Sequence, residues 1–214
     1  MASLVLSLHS TTPELRKLEK VVEALQNGAV ILYPTDTGFT LGCELSNKEA
    51  IQRIRAIRRL PEGKEMTFLC DSLSNIAEFA RVNNLAYKTI KRLIPGPYTF
   101  ILPASKLVPK YAQDPKRRTA GLRVPNNILS QALLKALGSP IISISAKYDD
   151  IMHIINPDEL IDVFLHQVDV AVRSDSYHFV GESTVIDMTT DDYSILRHGA
   201  GFEKVMDLIV EEVE

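Results

Sequence analysis

Tryptophan is absent from this chain of 214 residues, and cysteine occurs only twice, as Cys43 and Cys70. The two cysteines form no Cys-x-x-Cys pair and no disulfide framework, which favours a reduced intracellular protein in which both are small buried residues. Long apolar runs are also missing, since none approaches the ~20 residues that span a bilayer. The N-terminal segment lacks the basic region of a signal peptide. We therefore expect a cytoplasmic protein that does not enter a membrane.

Common motifs for metals and nucleotides are absent as well. The five histidines show no His-x-x-x-His or His-Glu-x-x-His spacing, so we predict no metal site. The chain contains neither a P-loop nor the Gly-x-Gly-x-x-Gly fingerprint of dinucleotide-binding folds. Any nucleotide site must therefore be of a different kind.

The composition is that of a folded domain, with 45% apolar and 24% charged residues. Strand and helix patterns alternate without a recognisable linker, which predicts an α/β or α+β structure with one domain over residues 1–214. Strands are predicted at residues 4–8, 29–33, 66–70, 98–102, 121–124, 141–144, 168–172, 184–188 and 194–196. Helices are predicted at about residues 13–27, 46–59, 75–80, 85–93, 127–137, 156–166 and 203–213.

Local signals set some of these boundaries. Pro34 is expected to end the strand over residues 29–33. Ser46 and Glu49 have the spacing of a capping box at the start of the next helix. Asn127 and Gly138 are expected to cap the two ends of the helix between them.

Charge is strongly segregated along the chain, although the formal net charge is only -3. Residues 51–123 contain 15 Lys and Arg against 5 Asp and Glu, whereas residues 148–214 contain 3 against 16. One interpretation is that these are solvated faces that balance each other across the fold. The other is a basic surface that attracts the phosphates of a nucleotide, an RNA or both.

The first candidate site is the segment Tyr33–Gly42, which follows a buried strand and is rich in threonine and glycine. Hydroxyls and close backbone approach suit a small polar ligand, although such side chains also satisfy a connecting loop. A second group lies at the end of a basic helix, where Arg58 and Lys64 have the charge to meet a phosphate. Cations near a helix C-terminus are also favoured by the helix dipole alone.

Later strands carry further polar side chains. Arg123 is flanked by apolar residues, and a charge in such a place needs a carboxylate or an anionic ligand as its partner. Ser143 and Ser145 lie two residues apart, so both should face the same side of their strand. A hydroxyl and an arginine recur in Ser183 and Arg197.

Taken in order, five segments resemble the YrdC family of threonylcarbamoyl-AMP synthases: YPTDTGFTLG, PGPYTFIL, GLRVPNN, SISAK and STVID. The resemblance runs from about Gly28 to Arg197. It implies a YrdC/RibB-like α/β (α+β) fold, with a twisted mixed sheet, flanking helices and a large basic cavity. It also implies a relation to tRNA threonylcarbamoyladenosine biosynthesis, where the synthases join threonine, bicarbonate and ATP, and an association with double-stranded RNA.

The resemblance also implies roles for particular residues. Thr35 would help to hold the amino acid. The nucleotide and substrate cavity would be lined by Thr99, Arg123, Ser143, Ser145, Ser183 and Arg197. No catalytic residue is assigned.

Two departures from the synthase pattern matter for function. The synthases carry Lys-x-Arg-Pro where this chain has Arg58-Arg59-Leu60-Pro61, and Ser-x-Asn where it has Ser145-Ala146-Lys147. Leu60 cannot pair with an anion, whereas Arg58 and Lys147 keep positive charge near the site. This altered pattern is similar to the YciO branch of the family.

We therefore expect a YciO-type protein that binds a nucleotide, ATP in the first place, or double-stranded RNA or tRNA, or both, through a basic cavity. Mg²⁺ is expected only if ATP is the ligand. The alternative is an active L-threonylcarbamoyladenylate synthase that uses threonine, bicarbonate and ATP.

Overall fold

A computed structural model describes residues 3–61, 64–147 and 156–211 of the chain. The strands are β1 (Leu4–Leu8), β2 (Ile31–Thr35), β3 (Gly38–Glu44), β4 (Thr67–Leu69), β5 (Tyr98–Pro103), β6 (Thr119–Arg123), β7 (Ile141–Ser145), β8 (Val170–Ser174), β9 (Thr184–Asp187) and β10 (Ser194–Arg197). The helices are α1 (Leu15–Gln26), α2 (Lys48–Ile57), α3 (Leu73–Phe79), α4 (Asn84–Leu93), α5 (Ile128–Leu137), α6 (Pro157–Leu165) and α7 (Phe202–Glu211).

These ten strands form one sheet in the order β1-β8-β2-β3-β7-β4-β6-β5-β9-β10. The pairs β1–β8, β8–β2, β4–β6 and β5–β9 are parallel, and the other neighbouring pairs are antiparallel. The prediction of an α/β fold around a twisted mixed sheet is therefore confirmed.

Helices cover the sheet on both sides, which explains why central strands such as β2 are buried throughout. On one side, α1 and α5 pack through residues such as Leu25 and Leu133 into an apolar cluster that includes Ile31 and Tyr33. On the other side, Leu32 belongs to a larger cluster with apolar residues from α2, α3, α4, α6 and α7. Neighbouring residues of β2 therefore face opposite cores, as the alternation of a strand requires.

The segment Tyr33–Gly42, predicted as a loop, is instead a tight hairpin. β2 continues through Pro34 to Thr35, and β3 follows after a turn at Asp36 and Thr37. Pro34 is tolerated because β8 pairs with β2 only at Ile31 and Leu32, so no ladder on that side needs its missing N–H. The prediction that Pro34 ends the strand was wrong, and β3 was missed.

Helix boundaries agree with the predictions to within a few residues, except that the predicted end of the last helix lies outside the described residues. One cap differs. Asn47, rather than Ser46, caps α2, because its side-chain oxygen accepts a hydrogen bond from the Ala50 N–H at 2.8 Å. The caps predicted for α5 are confirmed. Asn127 accepts from the Ser130 N–H, and Gly138 adopts the left-handed conformation at φ 72°.

The cysteines are buried and unpaired, as predicted. Burial raises the pKa of the Cys43 thiol to about 12, which makes it unreactive at neutral pH. Among the described residues, no helix is both long enough and apolar enough to span a membrane.

Candidate functional site

A cavity of about 440 Å³ lies over the middle strands of the sheet. Leu69, one of its lining residues, also belongs to the apolar cluster beneath α1 and α5, so the cavity occupies the part of this face beside those helices. Residues two apart on a strand face the same side, and four such pairs form the floor. They are Thr67 and Leu69, Thr99 and Ile101, Gly121 and Arg123, and Ser143 and Ser145. The volume suits a small-molecule ligand.

The structure brings seven of the ten predicted binding residues to the wall of this cavity. They are Lys64, Thr99, Arg123, Ser143, Ser145, Ser183 and Arg197. Lys147 lines a neighbouring cavity of about 230 Å³ instead. Ser145, Thr37 and Glu182 line both cavities, so the two spaces adjoin at these residues.

Thr35 and Arg58 are not among the described lining residues of either cavity. Thr35 is fully buried, and its hydroxyl donates to the Gly38 carbonyl at 2.9 Å, so it stabilises the turn between β2 and β3. The Arg58 Nε donates to the Ser145 carbonyl at 2.8 Å and anchors the end of β7. Both residues therefore support the site from outside its surface.

Arg123 is the most deeply buried cation of the cavity, with 5% of the residue exposed. Its guanidinium forms an ion pair with Asp36, which is equally buried, and also donates to the Thr37 hydroxyl and to the Gly96 carbonyl. Burial lowers the pKa of Arg123, and the Asp36 carboxylate opposes this effect. The sequence-based expectation that Arg123 needs a partner is thus met by Asp36 in the adjoining turn.

The Asp36–Arg123 pair is only half satisfied on the acidic side. One carboxylate oxygen of Asp36 binds the guanidinium, whereas Oδ2 is buried and has no hydrogen-bond partner among the described residues. An uncompensated buried oxygen is costly, so the pair depends on Arg123 remaining in place.

Hydroxyl groups from three strands and the segment before β9 form two separate hydrogen-bonded groups. Ser183 Oγ lies 2.9 Å from Thr99 Oγ1 and accepts a hydrogen bond from Arg197 Nη2 at 2.8 Å. On the opposite wall, Ser143 Oγ lies 2.8 Å from the Tyr33 hydroxyl. Burial strongly raises the pKa of Tyr33, so this phenol stays protonated. These hydrogen bonds hold the hydroxyl groups of Thr99, Ser143 and Ser183 in place on the cavity wall, where they can donate to or accept from a polar ligand.

Gly42 explains how the Tyr33 ring reaches this position. A Cβ at Gly42 would lie 2.8 Å from the Tyr33 ring and 2.6 Å from the Ile141 side chain. The glycine is therefore required by packing within the sheet, rather than by the close approach of a ligand to its backbone.

Several lining residues were missed from the sequence. Three of them are acidic, so the described wall carries as many carboxylates as cations and its positive charge is local. The missed polar residues are Thr37, Thr40, Glu65, Thr67, Asp114 and Glu182. Thr37 lies inside the segment Tyr33–Gly42 and Glu182 directly precedes STVID, but only the hairpin register and the contacts of residue 183 show that they border the cavity.

Comparisons with known proteins show the family to which this chain belongs. The family model for Sua5, YciO and YrdC proteins, described as "Telomere recombination", matches residues 23–199. The crystal structure of Escherichia coli YciO, 38% identical, superimposes with a TM-score of 0.86 and covers 95% of this chain and 98% of its own. This chain belongs to the Sua5/YciO/YrdC family.

Other members of the Sua5/YciO/YrdC family show how wide the relation is. A Haemophilus influenzae "Uncharacterized protein" is 45% identical over 196 residues, 91% of this chain and 94% of its own length. The threonylcarbamoyl-AMP synthase of Vibrio vulnificus is 34% identical over 136 residues, 60% of this chain and 70% of the synthase. P. abyssi Sua5 complexed with L-threonine, 23% identical, has the same fold, with a TM-score of 0.85 over 95% of this chain and 61% of that one.

Within the Sua5/YciO/YrdC family, the two departures from the synthase pattern now have structural positions. Leu60 packs partly buried against the larger apolar core. Lys147 forms an ion pair with Glu182 at the boundary between the two cavities. Leu60 therefore contributes to packing, whereas Lys147 adds a charge beside the site.

Proposed function

We propose that this chain binds a nucleotide, ATP in the first place, in the 440 Å³ cavity, in a role related to tRNA threonylcarbamoyladenosine biosynthesis. The observation that carries the proposal is the buried Arg123, which faces this cavity among the hydroxyls of Thr99, Ser143 and Ser183. A guanidinium and several hydroxyls are suited to phosphate oxygens and ribose. The relation to threonylcarbamoyl-AMP synthases supports the same ligand class.

Magnesium would enter with the nucleotide. The described residues contain no cluster of three or more His, Cys, Asp or Glu side chains able to hold a metal. Mg²⁺ on ATP keeps several waters and needs only one or two protein carboxylates. Glu65 and Asp114 line the cavity and are suitable carboxylates to contact the Mg²⁺ of bound ATP.

Titration calorimetry with Mg-ATP tests the proposal. We expect saturable heat with the wild-type chain and roughly tenfold weaker binding in Arg197→Gln, because this variant removes a charge-assisted donor from the wall. Arg16→Gln on α1 is the matched control and should bind as the wild type does. An absence of heat with the wild type, or equal affinities for all three proteins, would contradict the proposal.

The alternative is full synthase activity, with threonine and bicarbonate as further substrates. The L-threonine complex of P. abyssi Sua5 supports an amino acid in this fold. The same protein samples distinguish the two readings, since a synthase must release pyrophosphate only when threonine and bicarbonate are both present. Background release alone would reject the alternative and leave nucleotide binding unaffected.

A second candidate function is the binding of tRNA or double-stranded RNA. Its support is an exposed basic cluster that consists of Arg81, Lys106 and Arg118. The Arg81 N–H donates to the Pro103 carbonyl, and the Arg118 carbonyl accepts from the Ala104 N–H, which places both residues beside the end of β5. Lys106 follows that end by three residues. Within the described residues, none of the three has a carboxylate partner.

RNA binding through this cluster should depend steeply on salt. Replacing Arg81, Lys106 and Arg118 together by Gln should reduce the slope of log K against log salt by about 2–3, since each phosphate contact contributes about 1. Filter binding or fluorescence anisotropy with an RNA duplex measures the slope. Gln at Arg16, Lys20 and Lys135, on α1 and α5, is the matched control. A flat salt response of the wild type would exclude a phosphate-driven site.

A further inference from the structure

One acidic side chain lies where the proposed ligand would place negative charge. Glu182 forms ion pairs with Lys147 through Oε1 and with Arg197 through Oε2, the second at 3.3 Å. Lys147 lines the smaller cavity and Arg197 lines the larger one, while Glu182 borders both. The carboxylate therefore bridges two cations at the boundary between the two spaces.

We propose that Glu182 is an internal competitor for the anionic part of the ligand, which must displace its carboxylate from Lys147 and Arg197 in order to bind there. This inference rests on the proposed nucleotide site and adds a subsite to it. The ligand group is an anion, a phosphate in the case of ATP. Glu182 then sets the affinity of the site for anions.

Three observations support movement of the side chain without movement of the backbone. The Glu182 carbonyl accepts from the Ala200 N–H at 2.8 Å, and Ser183 pairs with Ala200 in a parallel bridge. The Arg197 Nε also donates to the Ser183 carbonyl at 2.8 Å. The main chain at Glu182 is therefore fixed from two directions, and a rotamer change is enough to release the carboxylate.

The bridge is inexpensive to open. The three side chains, Lys147, Glu182 and Arg197, are between 43% and 52% exposed, and ion pairs at such exposure contribute little stability. Lys147 holds the pKa of Glu182 below its ordinary value, so the carboxylate is charged at neutral pH and repels an incoming anion. Once released, all three side chains can be solvated.

Lys147 is the cation of this bridge that distinguishes the chain from the synthases it resembles. The synthases that the sequence resembles carry an uncharged Asn at this position, which cannot hold a carboxylate by charge. Here Glu182 neutralises Lys147 until a ligand with a higher negative charge replaces its carboxylate. The Lys147–Glu182 pair thus acts as a threshold that favours multiply charged ligands over singly charged ones.

Calorimetric titration of Glu182→Gln with Mg-ATP and with adenosine tests this inference. Removing the competing charge should tighten Mg-ATP binding roughly tenfold and leave the affinity for adenosine unchanged, because adenosine carries no anion. In Lys147→Gln the same Glu182→Gln substitution should give a smaller gain, since one of the released cations is missing. Glu19→Gln on α1 is the matched control for the change in net charge.

The outcomes separate the two proposals. Unchanged or weaker Mg-ATP binding in Glu182→Gln, with the wild type binding normally, would overturn the proposal that Glu182 competes with the ligand. It would leave the proposed nucleotide site unaffected. Weaker binding in particular would show that Glu182 positions Lys147 and Arg197 for the ligand. A gain that extends equally to adenosine would also overturn the inference. Failure of both the wild type and the variant to bind Mg-ATP would overturn the nucleotide site itself.

Discussion

Replacing Arg123 by Ala should lower the free energy of unfolding by about 3–5 kcal/mol and abolish nucleotide binding. The stability loss follows from Asp36, which is 5% exposed and would keep a buried carboxylate after losing its ion-pair partner Arg123. Its Oδ2 already lacks a hydrogen-bond partner among the described residues, so no second contact compensates. Binding is lost because the variant removes the buried guanidinium that faces the cavity. Urea unfolding and Mg-ATP calorimetry measure the two effects.

A double variant separates the two roles of Arg123. In Asp36→Ala with Arg123→Ala neither charge of this buried pair remains, so much of the stability should return while nucleotide binding stays absent. If the single variant is too unstable for titration, the double variant still allows nucleotide binding to be measured. Wild-type stability in Arg123→Ala would contradict the buried pair. Wild-type affinity in the double variant would contradict the assignment of the ligand to this cavity.

The sheet could be predicted largely from local pattern, because most strands are continuous apolar runs or alternate strictly. β3 is the exception. It contains Gly38 and Gly42 among its seven residues, Gly38–Glu44, and glycine is depleted in strands. It is nevertheless a strand because it pairs with β2 on one side and β7 on the other, and it is buried between two cores. Such long-range pairing overrides local preference and cannot be read from the segment alone.

The site shows the same division between local and long-range information. The shared orientation of Ser143 and Ser145 follows from the period of a strand, and both do line the cavity. The position of Glu182 depends instead on its bridge to Lys147, 35 residues away. From the motif alone, Thr35 and Thr37 are equally plausible as lining residues. Only the geometry of the turn shows that Thr37 lines the cavity, whereas the Thr35 hydroxyl binds the Gly38 carbonyl.

The segregation of charge along the chain has two explanations, mutual neutralisation across the fold and a basic surface for phosphates. The structure supports each of them in part. Arg53 pairs with Asp169 at 2.8 Å and Arg117 pairs with Asp187 at 2.5 Å, so the basic middle of the chain is partly neutralised by the acidic end. The basic cluster of Arg81, Lys106 and Arg118, by contrast, has no carboxylate partner within the described ranges. The net charge therefore says little about ligands, because individual ion pairs across the fold determine which basic residues are neutralised.

Gly199→Ala should weaken nucleotide binding by at least about tenfold, although Gly199 is not among the described lining residues. A Cβ at this position would lie 2.4 Å from the Glu182 carbonyl oxygen and 2.5 Å from the Ser183 carbonyl group, all main-chain atoms that cannot rotate away. The 182–183 backbone must shift, with a stability loss of about 1–3 kcal/mol typical of overpacking. Ser183 would then move relative to Thr99 and Arg197, its hydrogen-bond partners.

Gly138→Ala is a control that costs stability without touching the site. Gly138 ends α5 at φ 72°, where a side chain is strained by about 1–2 kcal/mol, but a Cβ there would meet no atom within 4 Å. Calorimetry should therefore give wild-type affinity for Gly138→Ala and weakened affinity for Gly199→Ala at comparable losses of stability. Equal affinities would mean that the position of Ser183 is irrelevant to the ligand. The hydrogen bonds among Thr99, Ser183 and Arg197 would then serve the fold alone, and the ligand would depend on the Arg123 side of the cavity.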